Sequence, residues 1–252
     1  MSAGEAGNLA ECLTRLRLSS FREHHAEQAA RAGREGWSYT RYLLGLCEVE
    51  LSERGQRRVQ RLLAASKLPR AKTLEALDRS RLPRGVDRQL SALVEGDFLS
   101  RRENVLAFGN PGSGKSHLMC ALGHELVQRS WPVLFTTCSL LVQRLLRAKA
   151  QLELEEELRR LDKFEALIVD DLGYVQQSRE EVEVLFTLLA HRYEWRSVLL
   201  TSNLVFSQWE RIFKDPLTAA AAVDRLVHHS VILELNIPSY RMESARKAQG
   251  KE

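Results

Sequence analysis

Residues 109 to 116 read Gly-Asn-Pro-Gly-Ser-Gly-Lys-Ser, which satisfies the spacing G-x-x-x-x-G-K-[ST] at Gly109, Gly114, Lys115 and Ser116. These residue types at this spacing bind phosphate. Glycines let backbone N–H groups turn inward around phosphate oxygens, and a helix opening at the end of the loop adds a favourable dipole. Lys115 brings a point charge to the β- and γ-phosphates, and the Ser116 hydroxyl is placed to ligate Mg²⁺. The loop follows the apolar run Val105-Leu106-Ala107-Phe108 and precedes a helical pattern with Leu118, Leu122 and Leu126. That strand–loop–helix context is what the chemistry requires.

A phosphate loop of this kind needs an acid beside it. Ala166-Leu167-Ile168-Val169-Asp170-Asp171 is an apolar strand ending in two carboxylates. Asp170 is the candidate to hold Mg²⁺ through water, with Ser116 as the other metal residue. Asp171 stands where a base or water-polarising carboxylate acts, or else it caps the next turn. Val198-Leu199-Leu200 ends in Thr201-Ser202-Asn203. Carboxyl ends of parallel strands converge on a ligand, so Asn203 either touches the γ-phosphate and orients water or is an ordinary turn residue.

The elements that must position these groups follow from the pattern. Continuous apolar strands at 105–108, 133–135, 166–169, 198–200 and 231–233, separated by helical stretches, predict an α/β fold with a parallel sheet buried on both faces. This domain is expected over residues 101–252. Residues 1–65 read as a small all-helical domain: Leu9, Leu13 and Leu16 share a face, and Ser38 is positioned to cap a helix that aligns Leu44, Cys47 and Leu51. Residues 66–100, punctuated by Pro69, Pro83 and Gly85, read as a basic connector.

No apolar run among the 252 residues is long enough to span a membrane. The polar start lacks the pattern of a secretory signal. Cys12, Cys47, Cys120 and Cys138 form no C-x-x-C pair, which fits a reducing cytoplasm and argues against a zinc or disulfide framework. The pairs His24-His25 and His228-His229 are expected to point apart on a helix or strand. The net charge of +4 is local: residues 1–100 hold 17 Lys/Arg against 13 Asp/Glu, whereas 101–252 hold 20 of each. Arg54 to Arg88 contains eleven basic residues and three acidic ones. Within it, Arg54, Arg57, Arg58, Arg61, Lys67, Arg70 and Lys72 form a stripe that suits a phosphate backbone or is simply a solvated face.

With these motifs together, the chain resembles the AAA+ ATPases, and within them the IstB-like transposition helpers, relatives of DnaC-type helicase loaders. The resemblance rests on Gly96-Asp97-Phe98, Glu103-Asn104-Val105, Lys115-Ser116-His117-Leu118, Asp170-Asp171-Leu172-Gly173-Tyr174, Thr201-Ser202-Asn203, Asp224-Arg225-Leu226-Val227-His228-His229 and Ser239-Tyr240-Arg241. It places Asn203 at the sensor-1 position and Arg225 as an arginine finger completing a neighbouring subunit's site. It adds His117 and Arg241 to the nucleotide-binding set of Gly109, Asn110, Pro111, Gly112, Ser113, Gly114, Lys115 and Ser116.

It also implies ATP and Mg²⁺ as cofactors, a homo-oligomer with ATP sites at subunit interfaces, and ATP hydrolysis. Duplex DNA and a transposase are the implied partners, with Arg144 and Arg147 near nucleic acid. Two departures stand out. Asp171 replaces the glutamate of most AAA+ proteins, and the stretch after Arg241 is too short for the usual helical lid. A helicase loader sharing this ATPase core is the alternative. The acidic run at 153–157 reads as a solvated helix face.

Overall fold

The computed structural model describes residues 3–173, 178–205, 208–209 and 216–240. Two compact units divide the chain, Met1–Arg61 and Leu62–Glu252. The first is built from α1 (Ala3–Arg15), α2 (Ser19–Glu35) and most of α3 (Tyr39–Ser66). Gly36, in the left-handed conformation, ends α2. The Ser38 hydroxyl accepts the Arg41 N–H at 3.2 Å, which starts α3 as the sequence predicts.

The predicted apolar faces are corrected. Leu9, Leu16, Leu44 and Leu51 are exposed, whereas Leu13, Leu46 and the charged Glu50 are buried. The reason is a polar commitment between helices. Glu50 accepts the Ser20 N–H at 2.8 Å and a bond from Arg54 Nε. Arg54 Nη2 then donates to Arg17 O at 2.6 Å. Glu53 accepts from the Ser20 hydroxyl and His24 and pairs with Arg57. α3 therefore turns the face of Leu46 and Glu50 inward, leaving the leucine stripe outside.

In the second unit, β1 (Asn104–Gly109), β2 (Val133–Thr137), β3 (Ala166–Leu172), β4 (Ser197–Ser202) and β5 (Ser230–Leu235) form one sheet in the order β2-β3-β4-β1-β5. All pairings are parallel. Every residue of β4 is buried, as is every residue of β3 except Asp171. Burial on both faces is why these strands read as unbroken apolar runs. The flanking helices are α4 (Arg84–Leu93), α5 (Asp97–Ser100), α6 (Lys115–Gln128), α7 (Cys138–Ala150), α8 (Leu154–Leu161), α9 (Arg179–Arg192) and α10 (Pro216–Val227). No described helix is long and apolar enough to cross a membrane.

Two buried polar side chains fasten the amino ends of the strands. Asn104 accepts the Val198 N–H at 2.8 Å and donates to Leu226 O, while its own N–H donates to His229 O at 2.7 Å. Arg192, 1% exposed, donates to the carbonyls of Leu161, Phe164, Glu165 and Ser197. Burial pushes its guanidinium down to about 10, which still leaves it charged at neutral pH.

The segment expected as a connector packs against α6. His117 Nε2 lies 3.0 Å from Thr73 O, and His124 Nε2 lies 3.1 Å from Pro69 O. Leu68 is buried against Gly123, where a Cβ would come within 3.0 Å of the leucine and 2.7 Å of Ile168.

The helical unit should be acid-sensitive. Burial raises the Glu50 carboxyl, but the bonds from Arg54 and Ser20 outweigh this and hold it below its ordinary value of 4.5. A lowered carboxylate contributes stability above the unfolded value and loses it as pH falls through the folded value. The thermal unfolding midpoint of the wild type should therefore decline below pH 4.5. Glu50→Gln should lower the midpoint at pH 7 and flatten that acid decline; an unchanged pH profile would remove Glu50 from this role.

Candidate nucleotide site

The phosphate loop joins the carboxyl end of β1 to the amino end of α6, and two of its glycines, Gly109 and Gly112, are set by close neighbours. Gly112 has φ +81, and a Cβ there would meet the Ser239 hydroxyl at 2.1 Å. At Gly109, with φ +151, a Cβ would meet Leu235 O at 2.4 Å. The chain leaving β5 thus lies directly on the loop, and the Tyr240 N–H donates to Gly112 O at 3.0 Å. Lys115 is 6% exposed, with Nζ donating to Gly109 O at 2.7 Å and Asn110 O at 2.9 Å. This holds its ammonium over the loop. Among the described residues, Ser113 Oγ is buried without a hydrogen-bond partner.

Asp170 is the last residue of the unbroken buried run of β3, at 4% exposure. The Thr201 hydroxyl donates to its Oδ1 at 2.6 Å and accepts the Asp171 N–H at 2.9 Å. One side chain of β4 therefore fixes both acids of β3. The β3–β4 register shifts between Val169 and Leu172, and Asp171 has φ +63. This irregularity turns Asp171 out of the sheet at the position where a bulge re-aims a side chain. Asp170 lies close enough to Cys120, one turn beyond Ser116, to add to the burial that pushes that thiol up to about 12. The hydroxyl of Ser116 and the carboxylate of Asp170 are hard oxygen donors, a set that suits Mg²⁺.

A cavity of about 430 Å³ opens over the loop, within the range of small-molecule sites. Pro111 to His117, Asp171 and Asn203 line it, whereas Gly109, Asn110 and Asp170 are not among its described lining residues. Its other walls come from Ala71, Lys72, Ala76, Leu77, Asp78, Arg81 and Leu82, and from Ile237, Pro238 and Tyr240. The Arg81 guanidinium stands 5.1 Å from the centre of the Tyr240 ring and donates to Pro238 O, joining the two walls. Sequence reasoning missed these residues; the only local signal is apolar Leu77 and Leu82 within a basic stretch. Lys72, assigned above to the basic stripe, lines this cavity.

Arg225 is not among the described residues lining the cavity. It lies on α10, with its guanidinium 5.0 Å from the Phe186 ring centre of α9 and Nη1 donating to Ala221 O. Arg241 lies outside the described residues. Of the other basic candidates, Arg58, Arg61, Lys67, Arg70 and Arg147 are exposed. Arg54 and Arg57 are tied to Glu50 and Glu53, and Arg144 pairs with Glu157. Glu157 is 5% exposed, which corrects the reading of the acidic run as wholly solvated.

The sequence profile of the family described as IstB-like ATP binding protein matches residues 11–248. This chain belongs to that family. An insertion sequence ATP-binding protein of Sinorhizobium fredii is 45% identical over 94% of this chain and 80% of its own length. The corresponding protein of the insertion sequence IS21 from Pseudomonas aeruginosa is 38% identical over 94% and 89%. Among solved structures, DnaI superposes with a TM-score of 0.56 at 22% identity, covering 67% of this chain and 95% of that one. AMPPCP-bound DnaA from Aquifex aeolicus gives 0.55 at 16% identity, covering 74% and 57%. The fold of this IstB-like chain is that of the AAA+ proteins.

Thr201→Val keeps the shape of the side chain while removing its donor and acceptor. It should cost about 2 kcal/mol of stability, the scale of a hydrogen bond to a charged group, read by urea unfolding. A loss below a few tenths of that figure would mean that Thr201 does not hold Asp170.

Proposed function

We propose that this chain is an ATP-dependent regulator of transposition: it assembles on duplex DNA with ATP, recruits or stimulates a transposase, and is released when ATP is hydrolysed. The observation that carries this reading is the division of the site. Lys115, Asp171 and Asn203 line one cavity, whereas Arg225, on α10, is not among its described lining residues and rests on the Phe186 ring of α9; in this reading it completes the site of a neighbouring copy.

In this reading Ser116 and Asp170 would hold Mg²⁺, which would supply positive charge to neutralise the phosphates. The loop amides and Lys115 orient the phosphates. Asp171, turned out by the bulge, polarises the attacking water, and Asn203 positions it beside the γ-phosphate. Arg225 of an adjoining subunit stabilises the developing charge, so turnover requires assembly. Association with an insertion sequence in its relatives supports a transposase as partner. The exposed Arg58 and Arg61 support contact with DNA.

Lys115→Ala should weaken binding of a fluorescent ATP analogue at least a hundredfold; unchanged affinity would overturn the assignment of the loop. Arg225→Ala should keep ATP binding and lose phosphate release. Mixing it with Asp171→Asn should restore part of the turnover, because one interface then carries both intact residues. Failure of the mixture to recover would exclude action of Arg225 in trans.

Arg58→Glu with Arg61→Glu leaves the bridges to Glu50 and Glu53 in place. This double variant should reduce the salt slope of duplex binding by about 2. An unaltered slope would return the stripe to a solvated face. Selective capture of a replicative helicase instead of a transposase would favour the helicase-loading alternative.

A further inference from the structure

A second constellation lies at the amino ends of the strands, away from the phosphate loop. His228 and His229 occupy the turn between α10 and β5, and Glu194 occupies the turn between α9 and β4. The expectation that adjacent histidines point apart holds for a helix or a strand. In this turn their rings instead meet edge to face, with centroids 4.2 Å apart. One nitrogen of each ring and one carboxylate oxygen of Glu194 all lie within 4.8 Å of one another. Glu194 is held in the left-handed conformation, φ +55. The Tyr193 hydroxyl lies 3.3 Å from His228 Nδ1.

From this geometry we infer that Glu194, His228 and His229 form a zinc site. Two imidazoles and one carboxylate are a nitrogen–oxygen donor set that suits Zn²⁺ better than Mg²⁺ or Ca²⁺, which favour oxygen alone. Bonds of about 2.0–2.1 Å in a tetrahedral site set donors about 3.4 Å apart. Small rotations of three exposed side chains close the distance from 4.8 Å. Tyr193 plays the part of an outer partner, fixing the orientation of one imidazole. Three protein ligands leave a fourth position for water.

A second convergence of this kind among the described residues, Glu23, His24 and Glu53, is a poorer match. It offers a single imidazole, and Glu53 is already engaged by Ser20, His24 and Arg57. The consequence of zinc at the His228 turn is mechanical. The ion ties the carboxyl end of α10, which carries Arg225, to the turn after α9. That limits the movement of the helix presenting Arg225.

The test uses the full chain, dialysed against Zn²⁺ and then zinc-free buffer, with metal counted by atomic emission. The wild type should keep one zinc per chain and His24→Ala should keep it as well. His228→Ala with His229→Ala should keep none. Glu194→Gln, which preserves side-chain shape, should weaken zinc affinity at least tenfold. Added Zn²⁺ should raise the Tm of the wild type and leave the double-histidine variant unchanged, provided that variant still binds an ATP analogue and is therefore folded. Co²⁺ in place of zinc should give visible bands without the strong near-ultraviolet charge transfer of thiolate ligation. Equal zinc in the wild type and the double-histidine variant, or a thiolate spectrum, would overturn the proposal.

Discussion

A carboxylate almost sealed inside a sheet is tolerable only while hydrogen bonds hold it, because transfer of an unpaired charge out of water costs far more than a single fold can offset. Asp170 is in that position, and the hydroxyl of Thr201 is its visible support. The same oxygen receives the Asp171 N–H, so the bond that stabilises the inner acid also shapes the backbone presenting the outer one. The interruption of the β3–β4 register follows from this arrangement. It separates two adjacent acids into different surroundings: one buried toward α6, the other facing the cavity.

The central sheet was legible because a strand buried on both faces can contain little except apolar residues, so β1, β3 and β4 announce themselves. The phosphate loop was legible because its glycines answer local constraints. The inward face of α3 was not, since burial of Glu50 is decided by Ser20, thirty residues earlier, and by Arg54. The leucines at 44 and 51 carry an apolar period that the tertiary contacts do not use. Thr201 stood in view within a polar triplet, but its double role depends on a bulge that no spacing reveals. The histidine pair misled because a rule for helices and strands was applied to a turn.

Charge counts also needed the structure for their meaning. The excess of basic residues between Arg54 and Arg88 is real, yet its members differ in availability. Arg54 and Arg57 fasten helices to one another, Lys72 faces a cavity, and Arg81 bridges two of that cavity's walls. Arg144 compensates a buried glutamate. What is left for an outside polyanion is a shorter set than the composition suggests, and its contribution is correspondingly local and salt-sensitive.

The walls of the nucleotide cavity have a consequence for how this protein can be taken apart. Residues 71–82 precede the first strand, yet they face the phosphate loop, while Leu68 and Pro69 anchor them to α6. A fragment beginning at residue 101 would retain every phosphate-binding residue of the loop and lose one side of the chamber above it. The minimal piece that preserves the chamber therefore starts near Leu62. A cut placed by motif boundaries alone would divide a ligand site and not a linker.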